Sequence, residues 1–333
     1  HPGVPAHVGG RTRVWGAAAA AGVAVSGIAA ASWVAAAAAS AGTVGAGHVV
    51  GWLSVEEERG LIGGLKDGDR VIKLSDEITV KYGYGVTPAE AATQEFAYQN
   101  VDRSIIRVPR VFRFFEDKSD KSWPRGYLFM EYIAGTSLKD LDIDLDIHNG
   151  IIPRVATIIS HLGQITGDQT PGPLGGGACR GYLWGDDGAR TAFSSVSDMN
   201  RWLNRRLIIR DESIDLTPHP LVLCHMDLCR RNMILGEDNQ SICLVDWAHA
   251  GLFPRFFEVA TLSFLNPFDA QYQKPLLQAT EELLGLTEEE KRLVKLMKIA
   301  RAASMRYLFE EKGEDCGMPS DMDSWDPPVP LPS

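Results

Sequence analysis

Residues 221–258 read LVLCHMDLCRRNMILGEDNQSICLVDWAHAGLFPRFFE, and the rest of the chain is organised around them. Leu221 to Cys224 is an apolar run with the length and composition of a buried strand. His225, Asp227 and Asn232 follow in the spacing H-x-D-x-x-x-x-N. A second apolar run, Met233-Ile234-Leu235, enters the turn-forming segment Gly236-Glu237-Asp238-Asn239-Gln240, and Ser241 to Val245 returns to Asp246-Trp247. Two short runs around such a turn predict a β-hairpin. Folding it about Asn239 sets Asn232 and Asp246 side by side at the open end, with Asp227 on the loop just before. One local element thereby gathers two carboxylates and an amide oxygen. Mg²⁺ prefers hard oxygen ligands and takes few of them from protein when phosphates complete its shell. One carboxylate remains to orient a hydroxyl.

A length of 333 residues suffices for one large or two modest domains with a full core. The hydrophobic fraction of 45% and charged fraction of 23% are those of a soluble globular protein. A net charge of -10 argues against nucleic acid as a partner, because phosphate contacts need a basic surface. The cysteines, 179, 224, 229, 243 and 316, form no C-x-x-C pair and give no zinc signal, which suits a reducing compartment. Cys224 and Cys243 sit in apolar runs and read as buried thiols. Cys229 lies inside the loop, where an alkylatable thiol and a packed, inert one are both consistent with the sequence.

Between Val14 and Val55 no Asp, Glu, Lys or Arg occurs, and Ala and Gly dominate. Residues 1–55 have three readings: a poorly ordered extension, a targeting segment behind Arg11 and Arg13, or a membrane span. Alanine and glycine contribute little to membrane insertion, so the composition argues against a stable span. From Glu56 the pattern becomes ordinary. Arg70 to Leu74 and Ile78 to Tyr82 are β-branched runs around Ser75-Asp76-Glu77, a second hairpin. Lys81 stands near the end of its second run, in V-K-Y-G. Pro88 to Ala97 predicts a helix with Pro in its first turn. Glu90 and Glu95 both lie on it, five positions apart, so they cannot share a face. A connecting strand is expected around Arg107 to Phe112, and another from Gly126 into M-E-Y-I-x-G-x-S-L at Met130 to Leu138. Ser195-x-x-Asp198 and Thr287-x-x-Glu290 open two amphipathic helices.

Together these segments resemble the aminoglycoside phosphotransferase/choline kinase family, of the fungal-type phosphotransferase kind, over roughly Val71 to Tyr307. The resemblance implies an α+β, bilobal protein-kinase-like fold, with a small β-rich N-lobe and a larger, mainly helical C-lobe. Residues 56–135 would form the nucleotide-binding lobe, 136–315 the catalytic and substrate lobe, and 316–333 a Pro-rich tail. Asp227 matches the catalytic-loop Asp, and Asn232 and Asp246 match the Mg²⁺ ligands. His225 would be a structural residue packed behind the loop. Lys81 would grip the ATP phosphates, paired with Glu90 or Glu95; the pattern E-A-x-x-x-x-F favours Glu90. Met130 would wall the adenine pocket, and backbone groups of Glu131, Tyr132 and Ile133 would bond the base. Glu258, in A-G-x-x-P-x-x-x-E, would anchor the core. No G-x-G-x-x-G is present; Gly60, Gly63, Gly64 and Gly68 leave the position of the phosphate-covering loop open.

The implied activity is transfer of the γ-phosphoryl of Mg·ATP to a small-molecule hydroxyl, with a cytoplasmic location. The alternative is a catalytically silent, nucleotide-binding scaffold. The Gly/Pro-rich stretch from Pro171 to Gly188 is expected to line the acceptor side. The acid-aliphatic run Asp140 to Asp146 reads as a solvated edge more readily than as a docking face for a cationic substrate.

Overall fold

The computed structural model describes residues 61–64, 68–120, 124–141, 145–264, 266–309 and 329–330. The Ala/Gly-rich stretch, Gly60, Asp142 to Asp144, Cys316 and nearly all of the Pro-rich tail lie outside the described residues. Among the described residues no helix is long and apolar enough to cross a membrane.

Strand alternation organises the N-lobe. The antiparallel sheet runs in the order β1 (Leu61–Gly64), β2 (Arg70–Lys73), β3 (Ile78–Gly83), β5 (Arg125–Glu131), β4 (Val111–Asp117). Ile78, Val80 and Tyr82 share one core with Tyr127 and Phe129. Period two therefore sends Thr79 and Lys81 to the opposite face. Helix α1 (Pro88–Asn100) begins where Thr87 accepts a hydrogen bond from the Glu90 backbone N–H at 3.2 Å. The strand expected around Arg107 to Phe112 starts later, at Val111. Pro109 lacks the N–H a ladder needs, and Arg107 instead forms an isolated parallel bridge with Cys243 of the C-lobe. The chain leaves β5 for β6 (Gly135–Ser137) at Gly135, whose φ of +152° and tight approach to the Leu235 carbonyl exclude a Cβ.

The C-lobe is built from helices around two small sheets. β7 (Leu221–Cys224) is buried throughout and pairs with β10 (Gly251–Pro254), while β8 (Met233–Gly236) lies between β6 and β9 (Ile242–Leu244). Helix α2 (Leu145–Leu162) packs on α5 (Ala270–Leu284), and α3 (Val196–Leu207) packs on α6 (Glu288–Arg306). The short α4 (Phe256–Leu262) carries Phe256, Phe257 and Val259 into the same core as Trp184 and Trp202. Ser195 caps α3, and Thr287 with Glu290 forms a full capping box at α6. Thr287→Ala should destabilise the protein by about 1 kcal/mol. Chemical denaturation would detect it as a lower midpoint with an unchanged slope.

Candidate active site

The hairpin closes one position away from the register expected from its sequence. Met233 pairs with Leu244, and Val245 N–H donates to the Asn232 carbonyl at 3.0 Å, so Val245 rather than Asp246 lies opposite Asn232. Asp238 Oδ1 accepts from Gln240 and Ser241 N–H, both at 2.9 Å, which tightens the turn asymmetrically. Asp246 then leaves the strand at φ +66°. That left-handed step, uncommon for a residue with a Cβ, accompanies its reach across to the other lobe.

Lys81 Nζ lies 2.6 Å from Glu90 Oε1 and 2.8 Å from Asp246 Oδ1. The lysine and glutamate are buried, whereas the Asp246 side chain is 39% exposed. Burial opposes the ammonium charge, but the carboxylates of Glu90 and Asp246 outweigh it and raise the Lys81 pKa. Burial likewise opposes the Asp246 charge, and Lys81 overrides it, bringing that pKa down to about 2. Glu90 moves up, because its desolvation exceeds the attraction of Lys81. Between the two candidate partners, the geometry selects Glu90; Glu95 Oε1 instead accepts from Gln99 at 2.7 Å.

Asp227 is buried on the loop after β7. Its Oδ2 accepts from Arg231 at 2.8 Å and from Asn232 Nδ2 at 2.9 Å. Asn232 Nδ2 also donates to the Asp227 carbonyl at 2.9 Å, which directs the amide nitrogen inward and turns its oxygen elsewhere. His225 is fully buried, with Nε2 3.2 Å from the Val245 carbonyl and its ring edge-on to Trp247 at 4.8 Å. Glu258 accepts the His225 N–H at 2.6 Å and the Met226 N–H at 3.0 Å. It thus holds the loop entry from below. Cys229 is half-buried and lines the cavity beside Asp227, and burial pushes its thiol up to about 12, which disfavours the thiolate.

At the hinge, Glu131 N–H donates to the Arg110 carbonyl at 2.9 Å and Tyr132 N–H to the Glu77 carbonyl at 2.8 Å. Met130 is buried in a cluster with Val86, Ala91 and Leu128, against α1. Gly63 and Gly64 lie in β1, paired with Val71 and Arg70 of β2.

Three side chains near Asp227 are absent from the sequence-based expectations. Arg231 sits four positions beyond it, inside the quoted motif. His249 Nδ1 is 3.8 Å from Asp227 Oδ2, and burial lowers its pKa. Arg301, on α6, lines the same cavity as Asp227, and nothing local to its sequence marks it. The stretch from Pro171 to Gly188 divides its contacts. Leu174 N–H reaches Thr93 Oγ1 of α1 at 3.0 Å and Arg180 reaches the Gly85 carbonyl at 2.6 Å, while Tyr182 lines the cavity beside Asp227.

The model of the phosphotransferase enzyme family matches residues 83–293. Among solved structures, the chain is similar to aminoglycoside phosphotransferase APH(4)-Ia, at 15% identity and TM-score 0.48 over 78% of this chain and 90% of that one. It is also similar to an aminoglycoside-3'-phosphotransferase of type VIII, at 16% identity and TM-score 0.47 over 72% and 90% of the two chains. A choline/ethanolamine kinase family protein from Mesorhizobium loti matches at 18% identity and TM-score 0.42 over 73% and 76%. No curated protein matches. With the family match extending from β3 through the loop, the hairpin and into α6, the chain belongs to the phosphotransferase enzyme family and has its bilobal, kinase-like fold.

Proposed function

We propose that this protein transfers the γ-phosphoryl group of Mg·ATP to a hydroxyl of a small molecule. The observation that carries this reading is the Lys81 ammonium held between Glu90 of one lobe and Asp246 of the other, at 2.6 and 2.8 Å. A cation fixed by carboxylates between two lobes suits nucleotide phosphates, and phosphoryl transfer depends chiefly on positioning and charge stabilisation. Lys81, oriented by Glu90, would bind the phosphates. Ile133 N–H would serve adenine, since those of Glu131 and Tyr132 are engaged within the fold, and Met130 would wall the pocket.

The donor set fits Mg²⁺. Asp246 is held ionised and Asn232 turns its amide oxygen away from Asp227, giving two hard ligands of the kind that phosphates complete. When bound, the ion would neutralise charge on the phosphate oxygens. Asp227 would accept the hydroxyl proton as the acceptor oxygen bonds to the γ-phosphorus, and the bond to the bridging oxygen breaks to release ADP.

Mg·ATP should raise the melting temperature, and chelation should remove most of the gain. Asp246→Asn should move the Mg²⁺ titration of ATP binding to roughly tenfold higher concentration or more. An unchanged titration would remove Asp246 from the metal site. Nucleotide stabilisation without ADP release on any acceptor would favour the silent scaffold.

A further inference from the structure

A cavity of about 460 Å³ opens beside Asp227, lined by neither Lys81 nor Asp246. Its charged walls are Asp227, Arg231 and Arg301, with Tyr182, Asn266 and Gln273 as polar neighbours. Arg231 is already paired with Asp227 at 2.8 Å. Arg301 differs. Its Nε donates to the Tyr182 carbonyl at 2.7 Å and its guanidinium stands 4.6 Å from the centre of the Phe264 ring. Both partners are neutral: they fix the side chain without cancelling its charge. A fixed guanidinium presents a planar fork that matches an oxyanion, and little ordering is left to lose on binding. A cationic acceptor would instead meet two guanidinium groups, despite the chain's net charge of -10.

We propose that the acceptor is a small anionic alcohol whose carboxylate or phosphate docks on Arg301, placing a hydroxyl toward Asp227. The inference rests on the proposed phosphotransfer for the role of Asp227; the docking of the anion does not depend on turnover.

Four probes on one carbon skeleton test it: D-gluconate, D-glucitol 6-phosphate, D-glucitol and 1-amino-1-deoxy-D-glucitol. Binding is read by thermal shift and calorimetry on the full chain without nucleotide, and ADP release is read separately. At least one of the two anions should bind roughly tenfold or more tightly than glucitol, with the amine weakest. Which anion binds more tightly identifies the docking group. Arg301→Gln should erase the preference, and Arg301→Lys should keep part of it. Equal or reversed ranking, no binding of either anion, or an unchanged preference in Arg301→Gln would overturn the proposal. So would a selective loss of Mg·ATP over Mg·ADP affinity in Arg301→Gln with the anion preference intact, which would assign Arg301 to the γ-phosphate. Arg301-dependent anion binding without ADP release would uphold the docking site and sink the phosphotransfer reading instead.

Discussion

Asp227→Ala should lower turnover by about 10²–10⁴-fold, the range removed with a general base, while Mg·ATP still protects the protein against melting. The separation is expected because Lys81 and Asp246 do not depend on Asp227 for their contacts. Asn232 also keeps one of its two anchors, the carbonyl of residue 227 at 2.9 Å, so its amide oxygen remains turned away from that residue. The variant frees Arg231, whose guanidinium loses its carboxylate partner. Melting without nucleotide therefore checks that the fold persists. ADP release at the same rate in both proteins would refute the role given to Asp227.

Glu258→Ala should cost about 4 kcal/mol of stability, since it orphans two buried N–H groups at roughly 1–3 kcal/mol each. His225 and Met226 donate them, at 2.6 and 3.0 Å, from the backbone that leads into the loop carrying Asp227. Glu258→Gln should lose less, because the Met226 N–H also lies 3.2 Å from the oxygen that His225 uses. The carboxyl has a pH signature as well. Burial raises the Glu258 pKa from 4.5 to about 7, against the opposing effect of the two N–H donors. A folded pKa above the unfolded one means that the contribution is fully present below about pH 4.5 and is lost as pH rises through about 7. Buried His225 titrates in the opposite sense, with its pKa lowered, so the comparison is between wild type and Glu258→Gln across pH 5 to 8. The wild type should lose stability relative to the variant over that interval. Parallel melting curves across it would place the titration elsewhere.

Much of the site is legible in the chain because its parts are local. The hairpin follows from two apolar runs and a turn, and the helix starts follow from Pro88 in the first turn of α1 and from Ser195 and Thr287 accepting N-terminal N–H groups of α3 and α6. The expected strand at Arg107 to Phe112 misplaces β4 because a run of suitable residues does not reveal which lobe each one bonds. Arg107 pairs with Cys243 while Val111 enters the N-lobe sheet.

By itself the sequence determined the two hairpins, the capped starts of α3 and α6, and the residue types gathered around the loop, since each depends on neighbours within a few positions. Only the tertiary structure decided that Lys81 meets Glu90, that Val245 faces Asn232, and that Arg301 of α6 stands at the cavity beside Asp227. Those outcomes depend on how separate elements pack, and no local periodicity encodes the distance between them.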